Sequence, residues 1–250
     1  MRAQAEYDEA MRWIAWGLNP YEIARVTGMP RGTISHWKYG IRAGRRSDPC
    51  PRCGSGELSA VTYSYLLGLY LGDGYVVEEA RRKGLYRLAI TQDARYLGLI
   101  AECASAIEGL VRPGGLTARF VERDGCIDVV ASWRHWPCVF PQHGPGRKHE
   151  RSIDLRAWQA QIVRAHPRAL LRGLIHSDGC RYVNTVGRSR RAGGYRYANY
   201  AFSNASSDIR GIFGWACRLL GIRYRESGRI LTISRRPDVE KLDCFVGPKV

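Results

Sequence analysis

Residues Tyr65–Gly74 read YLLGLYLGDG, and the pattern returns at Leu170–Gly179 as LLRGLIHSDG. In each copy a glycine stands five residues before an aspartate, and a small residue stands directly before that aspartate. The two small positions are four residues apart, so they share one face of a helix and let a second backbone approach closely. The last glycine of each copy favours a left-handed turn that closes the helix. The repeat therefore predicts two helices packed along their small faces.

This packing would bring Asp73 and Asp178 together where both helices end. Helix C-termini carry partial negative charge and unpaired carbonyls, so two carboxylates there repel each other and attract a cation. Hard divalent ions such as Mg²⁺ prefer oxygen ligands of this kind. We therefore expect Asp73 and Asp178, with the main-chain carbonyls of Gly72 and Ser177, to hold metal ions.

The stretches LLGLYLGDG and LRGLIHSDG resemble the motifs of the LAGLIDADG homing endonucleases, in which the last acidic residue of each motif holds the catalytic metals. Two copies, with their aspartates 105 residues apart, support the resemblance better than one copy would. It implies the single-chain, two-motif form: a monomer that cuts double-stranded DNA with Mg²⁺, for which Mn²⁺ substitutes. The resemblance also implies a polar residue at the end of the second strand and a later lysine, both organising solvent around the metals. Those positions hold Gln92 and Lys148 in the first half, and Asn204 and Lys249 in the second.

Apolar patterning from residue 60 onward predicts two halves with the same element order, αββαββα. We expect an α+β fold whose pseudo-symmetric halves, 60–154 and 155–250, form a DNA-binding saddle. Predicted strands cover 74–77, 85–91, 116–122, 126–131, 180–185 and 195–203, with hairpin turns at Asp124-Gly125 and Ser227-Gly228. Predicted helices besides the motifs cover 93–108, 132–140, 155–165, 207–220 and 237–245.

The strands that follow each motif should lay one face on DNA. Alternation on 85–91 turns Leu88 and Ile90 to the core and Arg87, Ala89 and Thr91 outward. The outward set in the second half is Tyr197, Asn199, Ala201 and Ser203. Two basic loops at equivalent places would follow the phosphates, one with Arg81, Arg82 and Lys83, the other with Arg188, Arg190 and Arg191.

Residues 1–40 are expected to form a small all-α domain with helices at 7–18, 20–26 and 31–38. Asn19-Pro20 caps and starts the second helix, and Gly28 makes the turn to the third. This spacing resembles a helix-turn-helix, with Ile34 and Trp37 buried. The residues of the third helix that would face a DNA major groove are Arg31, Thr33, Ser35, His36 and Lys38. A three-helix bundle that serves only for packing remains an open alternative.

Residues 41–59 are rich in Gly, Pro, Cys and Arg, which is typical of a linker. Arg45 and Arg46 would run along phosphates or enter a minor groove. Cys50 and Cys53, in Cys-Pro-Arg-Cys, look like one half of a zinc knuckle. A closed zinc site needs four ligands, and the sequence holds no second Cys-x-x-Cys. Remote ligands, His36 among them, remain open.

Composition favours a nucleic-acid partner. The chain has 39 Lys+Arg against 23 Asp+Glu, a formal charge of +16 at pH 7 and a pI near 9.8. A basic surface binds polyanions, and the sequence shows neither a long apolar span nor an amphipathic basic anchor for a membrane. The first residues lack the apolar core of a signal peptide, so we expect a cytoplasmic protein with reduced cysteines.

Two functions of different classes fit these observations. The first is a metal-dependent, sequence-specific DNA endonuclease. The second is a non-cleaving transcriptional regulator built on the same scaffold. A chain that had lost cutting should lose the metal carboxylates first, and both are present here, which favours the nuclease.

Overall fold

The computed structural model describes residues 4–39, 50–112, 115–186 and 195–250. Five residues expected to contact DNA, Arg45, Arg46, Arg188, Arg190 and Arg191, lie outside these ranges. The chain divides into two compact units, Met1–Asp48 and Pro49–Val250. Within the described residues, no helix combines the length and the apolarity that crossing a membrane requires.

The first unit consists of three helices, α1 (Gln4–Ala15), α2 (Pro20–Thr27) and α3 (Arg31–Lys38). Asn19 caps α2 as the sequence predicts: its side chain accepts hydrogen bonds from the Tyr21 and Glu22 amides, and its own amide donates to the Glu22 carboxylate. Gly28 closes α2 with a φ of 68°, which favours glycine. The helices enclose a small core that includes Ile23, Ile34 and Trp37.

The second unit begins with a short strand and a long helix. Its first part contains β1 (Glu57–Leu58), α4 (Ala60–Asp73), β2 (Gly74–Glu78), β3 (Tyr86–Asp93), α5 (Leu97–Glu108), β4 (Val111–Arg112), β5 (Arg119–Arg123), β6 (Cys126–Trp133) and α6 (Trp136–Val139). Four strands form an antiparallel sheet in the order β2-β3-β6-β5. The stretch 41–59 is not wholly a linker, because β1 pairs with β4.

The remaining elements are α7 (Ala157–Ala165), α8 (Pro167–Asp178), β7 (Gly179–Val186), β8 (Tyr195–Ser203), α9 (Ser207–Leu219), β9 (Arg225–Ser227), β10 (Ile230–Ile233) and α10 (Arg236–Asp243). Their sheet is also antiparallel, in the order β7-β8-β10-β9. In both sheets the first strand after a motif helix pairs with the second, and the second with the fourth. The unit is thus a mixed α/β structure built on antiparallel sheets.

Two predicted boundaries are wrong for identifiable reasons. The helix expected over 132–140 is confined to α6, because Ser132 and Trp133 continue the ladder of β6 with Arg87 and Tyr86 of β3. The helix expected from Asp93 begins at Leu97. Asp93 still pairs in β3, and its carboxylate binds Arg95 instead of capping a helix.

Candidate metal and nucleic-acid site

The site is built on the contact between α4 and α8, whose backbones touch. A Cβ atom on Gly68 would lie 2.5 Å from the Leu170 carbonyl oxygen and 2.7 Å from the Leu174 nitrogen. A Cβ atom on Gly173 would overlap the carbonyl oxygen of Tyr65. Only glycine permits this approach, so the small positions pack as the sequence predicts and bring the two helix ends together.

The glycine after each aspartate does not make the expected left-handed turn. Gly74 has φ −93° and Gly179 has φ −104°, both extended conformations. Each glycine begins a strand directly after the helix. Glycine is required there for space, since an added Cβ atom would lie 2.6 Å from the Cα of Tyr70 or Ile175. The aspartates therefore stand at direct joints between helix and sheet.

Burial at these joints disfavours negative charge on Asp73 and Asp178. Burial raises the pKa of Asp73 to about 6; the charge of Asp178 raises it too, against the opposing effect of two lysines. Burial also raises the pKa of Asp178, although the Asn204 amide donates a hydrogen bond of 2.6 Å to its Oδ2 atom. Both carboxyl groups are therefore harder to ionise than a free aspartate, and a bound cation would favour their charged forms.

Lys148 supplies one positive charge. Its Nζ atom donates to the carbonyl oxygens of Tyr70, Leu71 and Gly72 at 2.6, 2.8 and 2.6 Å, and lies 2.9 Å from that of Gly74. These carbonyls form the negative end of α4. Burial lowers the Lys148 pKa to about 8, opposed by the charges of the two aspartates. The side chain thus closes the helix that carries Asp73.

Lys249 makes the corresponding contact at the end of α8. Its Nζ atom donates to the Ser177 carbonyl oxygen at 3.0 Å, and burial lowers its pKa. The segment around it is held in place, because the Leu99 amide donates to the main-chain oxygen of Val250 at 2.9 Å. Both lysines therefore contact carbonyls that the sequence assigns to metal binding.

Gln92 and Asn204 occupy equivalent places beside the two motifs. Gly74 pairs with Ile90 and Gly179 with Phe202, so each amide stands two residues beyond the partner of a motif glycine. Asn204 binds Asp178. Gln92 is 3% exposed, and its Nε2 atom has no hydrogen-bond partner within the described residues. An unpaired buried amide is costly, which marks Gln92 as a group prepared for another ligand.

The donor set fits a hard divalent cation. Carboxylate and carbonyl oxygens suit Mg²⁺ and Mn²⁺, and the carbonyls of Gly72 and Ser177 keep a second lone pair beside their lysine contacts. Lys148, Asp178 and Asn204 line a cleft of about 400 Å³. The residues expected to form the metal site are thus gathered in one place, on both sides of the helix pair.

His176 lies at the helix interface. It is 2% exposed, with Nε2 2.8 Å from the Val246 carbonyl oxygen and Nδ1 3.0 Å from the Tyr65 hydroxyl. Because a carbonyl can only accept, Nε2 carries the proton and Nδ1 accepts from tyrosine. Burial, aided by the charge of Arg172, lowers the His176 pKa to about 4. The neutral ring is a packing group.

The first sheet matches its predicted outward face in part. Leu88 and Ile90 are buried and Arg87 is exposed, as expected. Ala89 is buried, contrary to prediction, because its small side chain lies in an inner strand between Tyr75 and Val130. Thr91 is half-buried and donates to Asp128 at 2.7 Å, so that hydroxyl is already engaged. The loop residues Arg81, Arg82 and Lys83 are exposed.

The second sheet departs further from prediction. Asn199 was expected on the surface but is 1% exposed, because β8 is an inner strand and the larger Tyr182 pairs opposite it. Neither polar atom of its amide has a partner among the described residues. Tyr197 is half-buried and its hydroxyl accepts from Asn184, whereas Ser203 is exposed.

In the first unit, α3 presents the expected residues in two groups. Arg31, His36 and Lys38 are exposed, and Thr33 and Ser35 are half-buried. Ile34 and Trp37 are buried, as predicted. The two cationic side chains, Arg31 and Lys38, and the imidazole of His36 are therefore the accessible members of the set.

A second polar cluster lies away from the aspartates. The ligand atoms of Cys50, Cys53, His135 and Cys138 all lie within 4.8 Å of one another. The sequence indicated only the first two cysteines, and His36 is not part of the group. The His-x-x-Cys spacing at 135–138 is the sequence signal that could have indicated the other two ligands, since it complements Cys-x-x-Cys.

Comparison with known proteins gives a limited result. No protein-family model and no curated protein matches the sequence. Solved structures that superpose on part of it include the homing endonuclease I-DmoI in complex with DNA and Mn, with 17% identity, 76% of this chain and 99% of that chain covered, and a TM-score of 0.49. Another is the LAGLIDADG meganuclease I-AabMI bound to uncleaved DNA, with 11% identity, 73% and 82% covered, and a TM-score of 0.47. Likeness at this level assigns no function to the present chain.

Proposed function

We propose that this chain is a metal-dependent, sequence-specific endonuclease of double-stranded DNA, of the LAGLIDADG homing endonuclease type. The observation that supports it most is the meeting of Asp73 and Asp178 at the ends of two helices whose backbones touch. Their raised pKa values mean that a divalent cation would favour the charged form of both groups, and perturbed carboxyl groups of this kind cluster at functional sites.

In this proposal the second unit is a pseudo-twofold pair of halves, 60–154 and 155–250. Equal strand order and equal register beside each motif support the pairing. Each half then contributes one aspartate, one amide and one lysine, in the sets Asp73, Gln92 and Lys148, and Asp178, Asn204 and Lys249. A nearly symmetric pair of carboxylates suits cutting of both strands of a duplex.

Asp73 and Asp178, with the Gly72 and Ser177 carbonyls, would hold the divalent ions. When bound, these ions supply Lewis acidity and lower the pKa of water. Lys148 and Lys249 would offset the charge that develops on the phosphate oxygens. Gln92 would orient a water molecule with the amide nitrogen that is now unpaired, and Asn204 would hold the Asp178 carboxylate in position.

DNA binding is assigned to the exposed basic residues. Arg87 and the loop with Arg81, Arg82 and Lys83 would contact the duplex from the first sheet. The helix-turn-helix proposed for the first unit would add Arg31, His36 and Lys38 in a major groove. The formal charge of +16 supports strong, salt-dependent attraction to phosphate.

The test is a selection from a random duplex library, run in two arms. One arm recovers cleaved molecules with Mg²⁺ or Mn²⁺, and the other recovers bound molecules with Ca²⁺. The proposal expects the same sequence from both arms. A sequence recovered only by binding, with no cutting in either metal, would reject the nuclease and leave the non-cleaving regulator.

A further inference from the structure

Four metal-binding side chains meet at the start of the second unit. Cys50 and Cys53 precede β1, His135 follows β6, and Cys138 belongs to α6. Cys53 and His135 are 82 positions apart in the sequence, so the two pairs of ligands meet only because the chain folds. None of the three cysteines is in a disulfide.

Their spacing is that of a tetrahedral metal site. The Sγ atoms of Cys53 and Cys138 are 3.9 Å apart, and the His135 Nδ1 atom is 3.2 and 3.6 Å from them. Tetrahedral zinc with Zn–S near 2.3 Å and Zn–N near 2.0–2.1 Å requires S···S edges of about 3.8 Å and S···N edges of about 3.6 Å. These three separations are within about 0.4 Å of the tetrahedral edges, and the Cys50 sulfur lies within 4.8 Å of the other three ligand atoms.

We propose that Cys50, Cys53, His135 and Cys138 bind one structural zinc ion through three sulfur atoms and the His135 Nδ1 atom. Four protein ligands close the tetrahedron and leave no position for water or substrate, which is typical of structural and not catalytic zinc. Thiolate ligands also favour zinc over the hard ions that suit the aspartates.

The surroundings support a built site. Cys50 is fully buried and belongs to the apolar core, and the Arg52 amide donates to its sulfur at 3.4 Å. Amide hydrogen bonds to sulfur stabilise the thiolate form and orient the ligand. The ring of Trp133 packs edge-on against His135 at 5.3 Å between centroids. The imidazole therefore has a fixed orientation toward the sulfur atoms.

The inferred zinc would fasten the entry segment of the second unit to the far end of its first sheet. Residues 50–56 have little other secondary structure, and β1 is two residues long. Zinc binding would join this segment to the end of β6, which pairs with β3 across eight positions. Since ligand deprotonation accompanies zinc binding, up to three protons should be released.

The direct experiment is metal analysis of the full-length protein purified under reducing conditions without chelator. We expect about one zinc per chain. Replacing the metal with Co²⁺ should give the visible absorption of a tetrahedral site and a thiolate charge-transfer band. Removing the metal should lower the unfolding midpoint by about 5 °C or more and expose residues 50–56 to protease.

Cys53→Ser and Cys138→Ser should each lose most of the zinc, whereas Cys244→Ser, an exposed cysteine outside the cluster, should keep it. Wild-type protein with fully reduced thiols and less than about 0.2 zinc per chain after growth with added zinc would overturn the proposal. So would a Cys138→Ser variant with unchanged zinc content and cobalt spectrum. None of these readouts involves DNA, so the result is independent of the endonuclease proposal.

Discussion

Replacing Asp73 by asparagine should stabilise the protein at neutral pH. The Asp73 pKa rises from 3.8 to about 6 on folding, and each unit corresponds to about 1.4 kcal/mol. The ionised carboxylate therefore costs the folded state up to about 3 kcal/mol at neutral pH. Asparagine keeps the size of the side chain and removes the charge, so this cost disappears.

The sign of the pH dependence follows from the raised pKa. A carboxyl group that is harder to ionise when folded contributes its full stability below about pH 4, the ordinary pKa, and that contribution is lost as pH rises through about 6. The difference in unfolding free energy between Asp73→Asn and wild type should thus be about 1 kcal/mol near pH 4.5, roughly a third of its maximum. It should grow to its maximum near pH 7 and stay constant above it.

Urea unfolding followed by tryptophan fluorescence between pH 4.5 and 8, without added Mg²⁺ or Mn²⁺, measures this difference. Asp124→Asn is the matched control, because Asp124 is exposed in a hairpin turn that asparagine also favours. A variant that is less stable than wild type at pH 7, or a difference that does not change with pH, would refute the reasoning.

Three further predictions concern the helix contact, the lysine and the first unit. Gly173→Ala should lower the unfolding free energy by about 3 kcal/mol, because its Cβ atom would overlap the Tyr65 carbonyl oxygen. The control is Gly211→Ala in α9, which should be neutral or stabilising because nothing lies within 4 Å of the added atom. Equal effects of the two substitutions in urea unfolding would contradict the close packing of α4 and α8. Lys148→Met should leave three carbonyls at the end of α4 without their donor and slow single-turnover cutting at least about 100-fold, whereas exposed Lys241→Met should not. Equal cutting rates for Lys148→Met and wild type would show that Lys148 takes no part in the reaction. Arg31→Ala combined with Lys38→Ala should weaken DNA binding and reduce the salt dependence of log K by about 2, measured by titration at several salt concentrations; unchanged binding would mean that α3 does not contact DNA.

The sequence predicts the helix pair well because its determinant is local and repeated. Gly68 and Gly173 allow the backbones of the two helices to touch. Because each stands five residues before an aspartate, this contact brings Asp73 and Asp178 together. Alternation of apolar residues also predicts the strands of the two four-stranded sheets, since it depends on one buried face. It does not predict the two-residue strands β1 and β4. Boundaries at Ser132 and Asp93 failed because pairing with a distant strand decided them.

Other features depended on neighbours that a linear pattern does not reveal. Asn199 is buried because an inner strand places Tyr182 opposite it, and Ala89 is buried because it is small. Gly74 is extended and has no room for a Cβ atom beside Tyr70, and a turn propensity describes neither feature. The cysteine cluster needed contact across 82 residues, although His-x-x-Cys was visible in the sequence.

The central claim is that Asp73 and Asp178 together form one metal-dependent cutting site. Single-turnover cleavage of the selected duplex should be compared for wild type, Asp73→Asn, Asp178→Asn and the double variant, with binding measured separately in Ca²⁺. We predict Mg²⁺- or Mn²⁺-dependent cutting by wild type and a loss of at least about 1000-fold in each single variant, with the double variant little worse, because groups that act as a unit are not additive. We also predict that the three variants still bind the duplex in Ca²⁺ although they no longer cut it. A double variant that cuts at the wild-type rate would contradict the claim.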